Sequence, residues 1–307
     1  MKTALFFPGQ GSQKPGMGKA LFDQFDAAKK TFEEADDALG FSISSLCFEG
    51  PADELNLTFH SQPAILATSI AALRCLEAER GAIDYDLAAG HSLGEWSALV
   101  AVGALSFADA LSLVHLRGKA MQQATPVGQG AMAAIMGMEP AALLEICEKA
   151  GQGEVCSPAN FNGGNQIVIS GHKAAVERAM AAAKEQKARA IPLKVSAPFH
   201  CQLMAPAAER VAEALESIVV GPMTRPVVAN VDAAPNQDSS RVKELLVQQV
   251  TGTVRWQESV EYIAGQGVTR GIELGHGAVI KGLVRRIAKE MTVHPIGQPD
   301  DIKALES

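Results

Sequence analysis

The sequence predicts an α/β protein in which a large, hydrolase-like α/β domain carries a smaller, ferredoxin-like α+β domain as an insert. Three observations carry that prediction. An apolar run over 87–89 ends in Gly90-His91-Ser92-Leu93-Gly94 and passes straight into a helix-forming run over 95–102. Strand, tight turn and helix are the context in which G-x-S-x-G lifts a serine off the end of a sheet. Between 131 and 195, strand and helix patterns follow the order β-α-β-β-α-β, that of a split βαβ unit. The chain's 307 residues suffice for a large domain with a smaller companion. The expected division is 1–126 with 197–307 for the large domain and 127–196 for the small one.

Residues 3–7 read as a first strand, stopped by Pro8-Gly9-Gln10-Gly11-Ser12-Gln13. A dinucleotide fingerprint would need a third glycine and a helix start where Lys14-Pro15 stands, and no Gly-Lys-Ser/Thr marks a phosphate loop. The remaining reading is a tight loop facing the elbow. There the backbone N–H of Gln10 and that of Leu93, at the start of the elbow helix, would form an oxyanion hole. A helix is expected over 18–39, a turn-rich link over 41–51, and a helix over 64–80 opened by Gln62-Pro63. After the elbow, Ser106 suits the N-cap of a helix reaching 123, whose stripe is Phe107, Ala110, Val114, Arg117 and Met121. Arg117 therefore lies on a face that otherwise looks buried. Its charge needs either an internal Asp or Glu or a carboxylate that arrives with a substrate, and the spacing does not choose between them.

The insert follows a hinge at 125–130, with strands over 131–136, 155–160, 166–170 and 190–195 and helices over 140–150 and 174–187. Two domains meeting beside a serine make a cleft, the usual place for a ligand. Pro198 then forces an extended approach to His200, which precedes a helix over 203–217 and is the choice for a general base. His91 sits next to the serine, but adjacent side chains diverge at an elbow, so a structural role suits it better. His276, in the loop Gly275-His276-Gly277, is the second candidate for the base. The tail reads as a strand over 226–230, helices over 241–250 and 256–266, a strand over 271–274 and a helix over 279–291.

A net charge of −7 with no basic tract argues against nucleic acid as a partner. Five scattered cysteines without C-x-x-C spacing read as reduced thiols, and no H-E-x-x-H or similar spacing supports a metal. The start is too short in apolar residues for a signal peptide, and no run reaches membrane-spanning length. These features lead to the expectation of a cytoplasmic protein, monomeric and without a membrane partner.

The landmarks Pro8-to-Gln13, Gln62-Pro63-Ala64, Gly90-to-Glu95, Arg117-Gly118, Ser196-x-Pro198-Phe199-His200, Val254-Arg255-Trp256 and Glu273-x-Gly275-x-Gly277 follow in an order that resembles the malonyl-CoA:acyl carrier protein transacylases, over essentially the whole chain. Related polyketide synthase acyltransferase domains share it. The resemblance implies Ser92 as nucleophile, His200 as its base, Gln10 and Leu93 as oxyanion donors, and Arg117 as the clamp on a malonyl carboxylate. It further implies supporting roles for Gln249, Phe199, Met121, Gln62 and His91, with Phe199 excluding an α-methyl branch. The segment Val250-Thr251-Gly252-Thr253 departs from the family pattern beside Gln249. No bound cofactor is implied. The substrates would be malonyl-CoA, a coenzyme A thioester, and the phosphopantetheine thiol of holo acyl carrier protein. The alternatives are a polyketide malonyl acyltransferase and, on the elbow alone, a serine thioesterase. The carrier is usually acidic, so a basic patch is expected at Arg285, Arg286, Lys289, Lys187 and Arg189.

Overall fold

The computed structural model describes residues 1–195 and 197–305. Ser196, the last residue of the expected insert and the first of the motif ending at His200, lies outside the described residues, as do Glu306 and Ser307. From the N-terminus run β1 (Lys2–Phe7), α1 (Lys19–Gln24), α2 (Asp26–Leu39), α3 (Ile43–Glu49), α4 (Ala52–Asn56), α5 (Thr58–Arg80), β2 (Leu87–Gly90), α6 (Leu93–Ala101) and α7 (Phe107–Gln123). The middle contributes β3 (Gly130–Met136), α8 (Pro140–Gly151), β4 (Cys156–Phe161), β5 (Gln166–His172), α9 (Lys173–Glu185) and β6 (Arg189–Pro192). The remainder is α10 (Ala205–Glu216), β7 (Val227–Ala229), β8 (Ala234–Asn236), α11 (Val242–Thr251), α12 (Trp256–Gly265), β9 (Val268–Leu274), α13 (Val279–Ile287), β10 (Thr292–Ile296) and α14 (Pro299–Ala304).

Two sheets organise these elements. The larger has six strands in the order β10-β9-β1-β2-β7-β8, all parallel except the last pair. Ala4 to Phe7 of β1 are fully buried, as a central parallel strand covered on both faces requires. The smaller sheet is antiparallel, in the order β4-β5-β3-β6. Its strand β4 reaches the rest of the molecule through backbone bonds from Phe161 to Val254 (3.0 Å) and from Val254 to Ala159 (2.8 Å).

Several elements differ from the sequence expectation, each for a local reason. The helix expected over 18–39 is broken at Phe25, which is extended, into α1 and α2. The link over 41–51 contains α3, whose N-cap Ser42 accepts the N–H of Ser45. Pro63 does not open α5; it lies inside it, five residues after Thr58, too deep for an N-terminal proline. The carbonyl that Pro63 leaves without its helical donor, that of Phe59, is held by the His115 ring at 2.7 Å. The last expected helix stops at Ile287, and β10 follows it. Both β8 and β10 escape sequence reading because each carries a proline, Pro235 or Pro295, which edge strands tolerate and central strands do not.

Candidate active site

The turn between β2 and α6 puts Ser92 at φ 51°, a conformation that ordinary side chains seldom adopt. Two glycines make the turn possible. A Cβ on Gly90 would stand 1.9 Å from the carbonyl carbon of Gly94, and one on Gly94 would stand 2.1 Å from the carbonyl oxygen of Phe7. The elbow is held from outside by Asn230, whose Oδ1 accepts the Ser92 N–H (2.7 Å) and whose Nδ2 donates to the Gly90 carbonyl (2.8 Å).

Ser92 Oγ lies 2.7 Å from His200 Nε2. The other ring nitrogen, Nδ1, faces two backbone carbonyls, Gln249 at 2.9 Å and Gly252 at 3.1 Å. Carbonyls only accept, so Nδ1 carries the proton and Nε2 offers its lone pair to the serine hydroxyl. Burial, followed by the nearby Arg117 charge, holds the His200 imidazole down at about 3, so the ring is neutral near pH 7. A neutral imidazole on a serine hydroxyl can take its proton as the oxygen attacks.

Arg117 is 1% exposed and belongs to the same cluster. Its Nη1 donates to Gln62 Oε1 (2.7 Å), and its Nη2 donates to Gln249 Oε1 (2.9 Å) and to Ser92 Oγ (3.2 Å). Its Nε meets no acceptor among the described residues. None of the ion pairs recorded among the described residues includes Arg117, so of the two readings left open by spacing, the internal salt bridge is absent there. Burial lowers its pKa to about 10, which leaves it charged at neutral pH. The arrangement can therefore seat an anionic group beside a serine–histidine pair.

A cavity of about 370 Å³ opens over this cluster, and Gln10, Leu93, Met121, Phe199 and Gln62 line it together with His91. The loop carrying Gln10 lies close against the elbow: a Cβ on Gly9 would meet the His91 carbonyl oxygen at 2.3 Å. The loop is closed by a Ser12-to-Gly9 turn, with Gln10 and Gly11 at its tip. Leu93 is the first residue of α6, where helical N–H groups lack internal acceptors. Donors so placed can receive charge developing on an oxygen at Ser92. His91 turns away, bonding Asn162 at 2.9 Å on the loop after β4 and facing the Trp256 ring. His276 does not line the cavity, and its Nδ1 is buried without a partner among the described residues.

Four of the residues that sequence reasoning misses here are polar or charged and bear on the site. Asn160 and Lys194 line the cavity from the smaller sheet and the segment after it. Asn230 and Glu95 stand behind the elbow, both buried. Glu95 carries a visible signal, since it is the single acid in the otherwise uncharged run from Leu93 to Ala101. Asn230 carries none beyond ending an apolar strand. No cluster of three or more His, Cys, Asp or Glu side chains is placed to hold a metal among the described residues.

Residues 5–302 match the family described as acyl transferase domain. The malonyl CoA-acyl carrier protein transacylase of Salmonella typhimurium is 46% identical over 302 residues, covering 98% of this chain and 97% of that protein. The enzyme of the same name from Bacillus subtilis strain 168 is 47% identical, with 98% and 95% covered. Among solved structures, the acyl-carrier-protein-S-malonyltransferase of Bartonella henselae superposes with a TM-score of 0.97 at 47% identity, covering 99% of this chain and 98% of that one. A malonyl-transacylase in complex with its type II PKS acyl-carrier protein superposes with a TM-score of 0.95 at 44% identity, with 99% and 98% covered. By family match, by identity over nearly the full length and by backbone, the chain belongs to the acyl transferase domain family and, within it, to the malonyl CoA-acyl carrier protein transacylases.

Proposed function

We propose that the protein moves a malonyl group from malonyl-CoA to the phosphopantetheine thiol of holo acyl carrier protein, through a malonyl ester on Ser92, and so supplies extender units for fatty acid synthesis. One observation carries the reading: the buried, charged Arg117 donates to Ser92 Oγ and lacks an ion-pair partner among the described residues. A short neutral acyl chain would leave that cation without an anion bonded directly to it. A malonyl group brings one at the right distance from its thioester carbonyl.

In the first half-reaction His200 Nε2 takes the Ser92 proton as Oγ bonds to the thioester carbonyl carbon. The N–H groups of Gln10 and Leu93 receive the oxyanion, each contributing about 3 kcal/mol in the transition state. The carbon–sulfur bond then breaks, and coenzyme A leaves as a thiol with the proton from His200. In the second half-reaction His200 takes the proton of the carrier thiol, the sulfur attacks the ester, and Ser92 recovers its proton. Among the described residues no carboxylate orients His200; the Gln249 and Gly252 carbonyls do so instead. This favours transfer over the thioesterase alternative, whose histidine would be paired with an acid.

The four-stranded sheet has the strand order of a ferredoxin-like unit, which supports a small domain over 127–196 set into a hydrolase-like large one. The five cysteines are free, in keeping with a cytoplasmic setting. The similarity to a transacylase bound to a type II PKS carrier gives specific support to one second reading, a polyketide carrier as acceptor.

Mass spectrometry of the protein after malonyl-CoA should show one malonyl adduct on Ser92, discharged by holo acyl carrier protein and long-lived in water. An adduct cleared equally fast by water alone would establish a hydrolase instead.

A further inference from the structure

Glu95 is 2% exposed and lies one helical turn beyond Ser92, on the side away from the cavity. Its Oε2 accepts from Gln249 Nε2 (2.7 Å) and from the Asn230 backbone N–H (3.0 Å). Gln249 thus stands between two opposite charges, its Oε1 on Arg117 Nη2 (2.9 Å) and its Nε2 shared between Glu95 and the Ser92 carbonyl (3.0 Å). One buried carboxylate faces one buried guanidinium across a single amide. An acyl carboxylate arriving on the open side of Arg117 makes two anions around that cation.

We infer that Glu95 is the internal counter-ion of Arg117, acting through Gln249, and that it takes a proton from solvent when the acyl carboxylate binds. This inference rests on the malonyl reading above. In the free site the ionised form of Glu95 stabilises the guanidinium charge and, being an acceptor only, turns the Gln249 amide so that its oxygen faces Arg117. In the loaded site the two carboxylates repel across the guanidinium, and the one held by a neutral amide and a backbone N–H is the one that gives up its charge. The groups acting on it are Arg117 and the Gln249 amide, the Asn230 N–H, and Asp232, whose own charge is held by Arg241 at 2.8 Å. Burial, the largest influence, already raises the Glu95 carboxyl to about 7, so small changes in its surroundings move it between forms near neutral pH. The arrangement keeps the cation from gripping the malonyl group so tightly that the second half-reaction stalls.

Acylation of a serine by a thioester releases a thiol and consumes no proton, so proton uptake during it reports the protein. Mixing the wild-type protein with malonyl-CoA in weak buffer at pH 7 should take up a fraction of one proton per acylated Ser92. Acetyl-CoA should take up none, and Glu95→Gln should abolish the malonyl signal. Glu95→Gln keeps the shape and an acceptor oxygen but not the charge. It should lower KM for malonyl-CoA about tenfold at pH 8 and lower kcat with it, leaving acetyl-CoA within about twofold. At pH 6 the wild-type protein and Glu95→Gln should converge. Uptake of the same size with acetyl-CoA, no uptake at all, or equal changes for both acyl groups in Glu95→Gln would overturn the inference. Failure of the wild-type protein to accept malonyl-CoA would instead overturn the proposed function.

Discussion

Replacing Arg117 with alanine removes donors to Gln62, Gln249 and Ser92 Oγ, yet leaves the Ser92–His200 contact of 2.7 Å in place. The loss should therefore fall on the acyl group that needs a cation. Malonyl transfer should drop at least about a hundredfold, the scale of a broken buried ion pair, while acetyl transfer changes by a few-fold at most. Steady-state rates with the two thioesters check this; equal losses would remove the clamp role. His200 gives a second test at this scale, through pH. Its folded-state pKa of about 3 lies below the ordinary 6.5, so between those values the unfolded chain binds a proton that the folded chain refuses. The stability contributed by neutral His200 is thus complete above pH 6.5 and is lost as pH falls towards 3. Relative to His200→Gln, the wild-type protein should lose up to about 1.4 kcal/mol per pH unit below 6.5, measured by denaturant unfolding at pH 7, 6 and 5.

At the scale of elements, the strained Ser92 turn stays in place because β1, α6 and the end of β7 enclose it. Asn230→Ala would leave both the Ser92 N–H and the Gly90 carbonyl without their side-chain partner. One buried and one part-buried backbone group losing this partner should cost about 2 kcal/mol together and lower kcat, because the turn that aims Ser92 Oγ relaxes. Unfolding measurements alongside acylation rates would show it; loss of stability with an unchanged rate would mean the turn holds itself. The elbow and its neighbours are also where the sequence is most readable. Gly90, Ser92 and Gly94 are legible because a residue type answers directly to a backbone need. Arg117 is legible as a cation on an apolar stripe, and His200 as a histidine after an extended proline approach. Gln249 enters only by resemblance, and Asn230 not at all, because their work is done by contacts from α11 and from the residue after β7, 157 and 138 residues from Ser92 in sequence. The misread elements follow the same rule. Pro63 reads as a helix start until His115, from α7, supplies the donor missing at Phe59. Pro235 and Pro295 hide strands that only the sheet order reveals to be edges.

At the scale of the molecule, residues of both sheets and of the segments after their strands line the cavity, and one contact between the two sheets' halves carries a basic side chain. Arg286 on α13 donates to Gln166 of β5 at 2.9 Å. The register sets Gln166 opposite Met136, and Met136 opposite Arg189 at the start of β6. At about 4.8 Å per strand, Arg189 is about 10 Å from Gln166 along the same end of the sheet. Arg285, Lys289 and Lys187 are exposed and close in sequence to these two anchors, on a chain whose net charge is −7. We propose that these cations form the patch that an acidic carrier protein approaches, with repulsion over much of the rest of the molecule orienting it. The double reversal Arg189→Glu with Arg286→Glu should raise KM for holo carrier protein about tenfold or more and leave KM for malonyl-CoA within about twofold. It should also weaken or invert the dependence of the carrier step on ionic strength, because the attraction being screened has changed sign. Steady-state kinetics with each substrate varied, at low and high salt, reads both effects. Equal changes in the two KM values would place the defect in the fold rather than in docking, and an unchanged carrier KM would move the docking surface elsewhere on the chain.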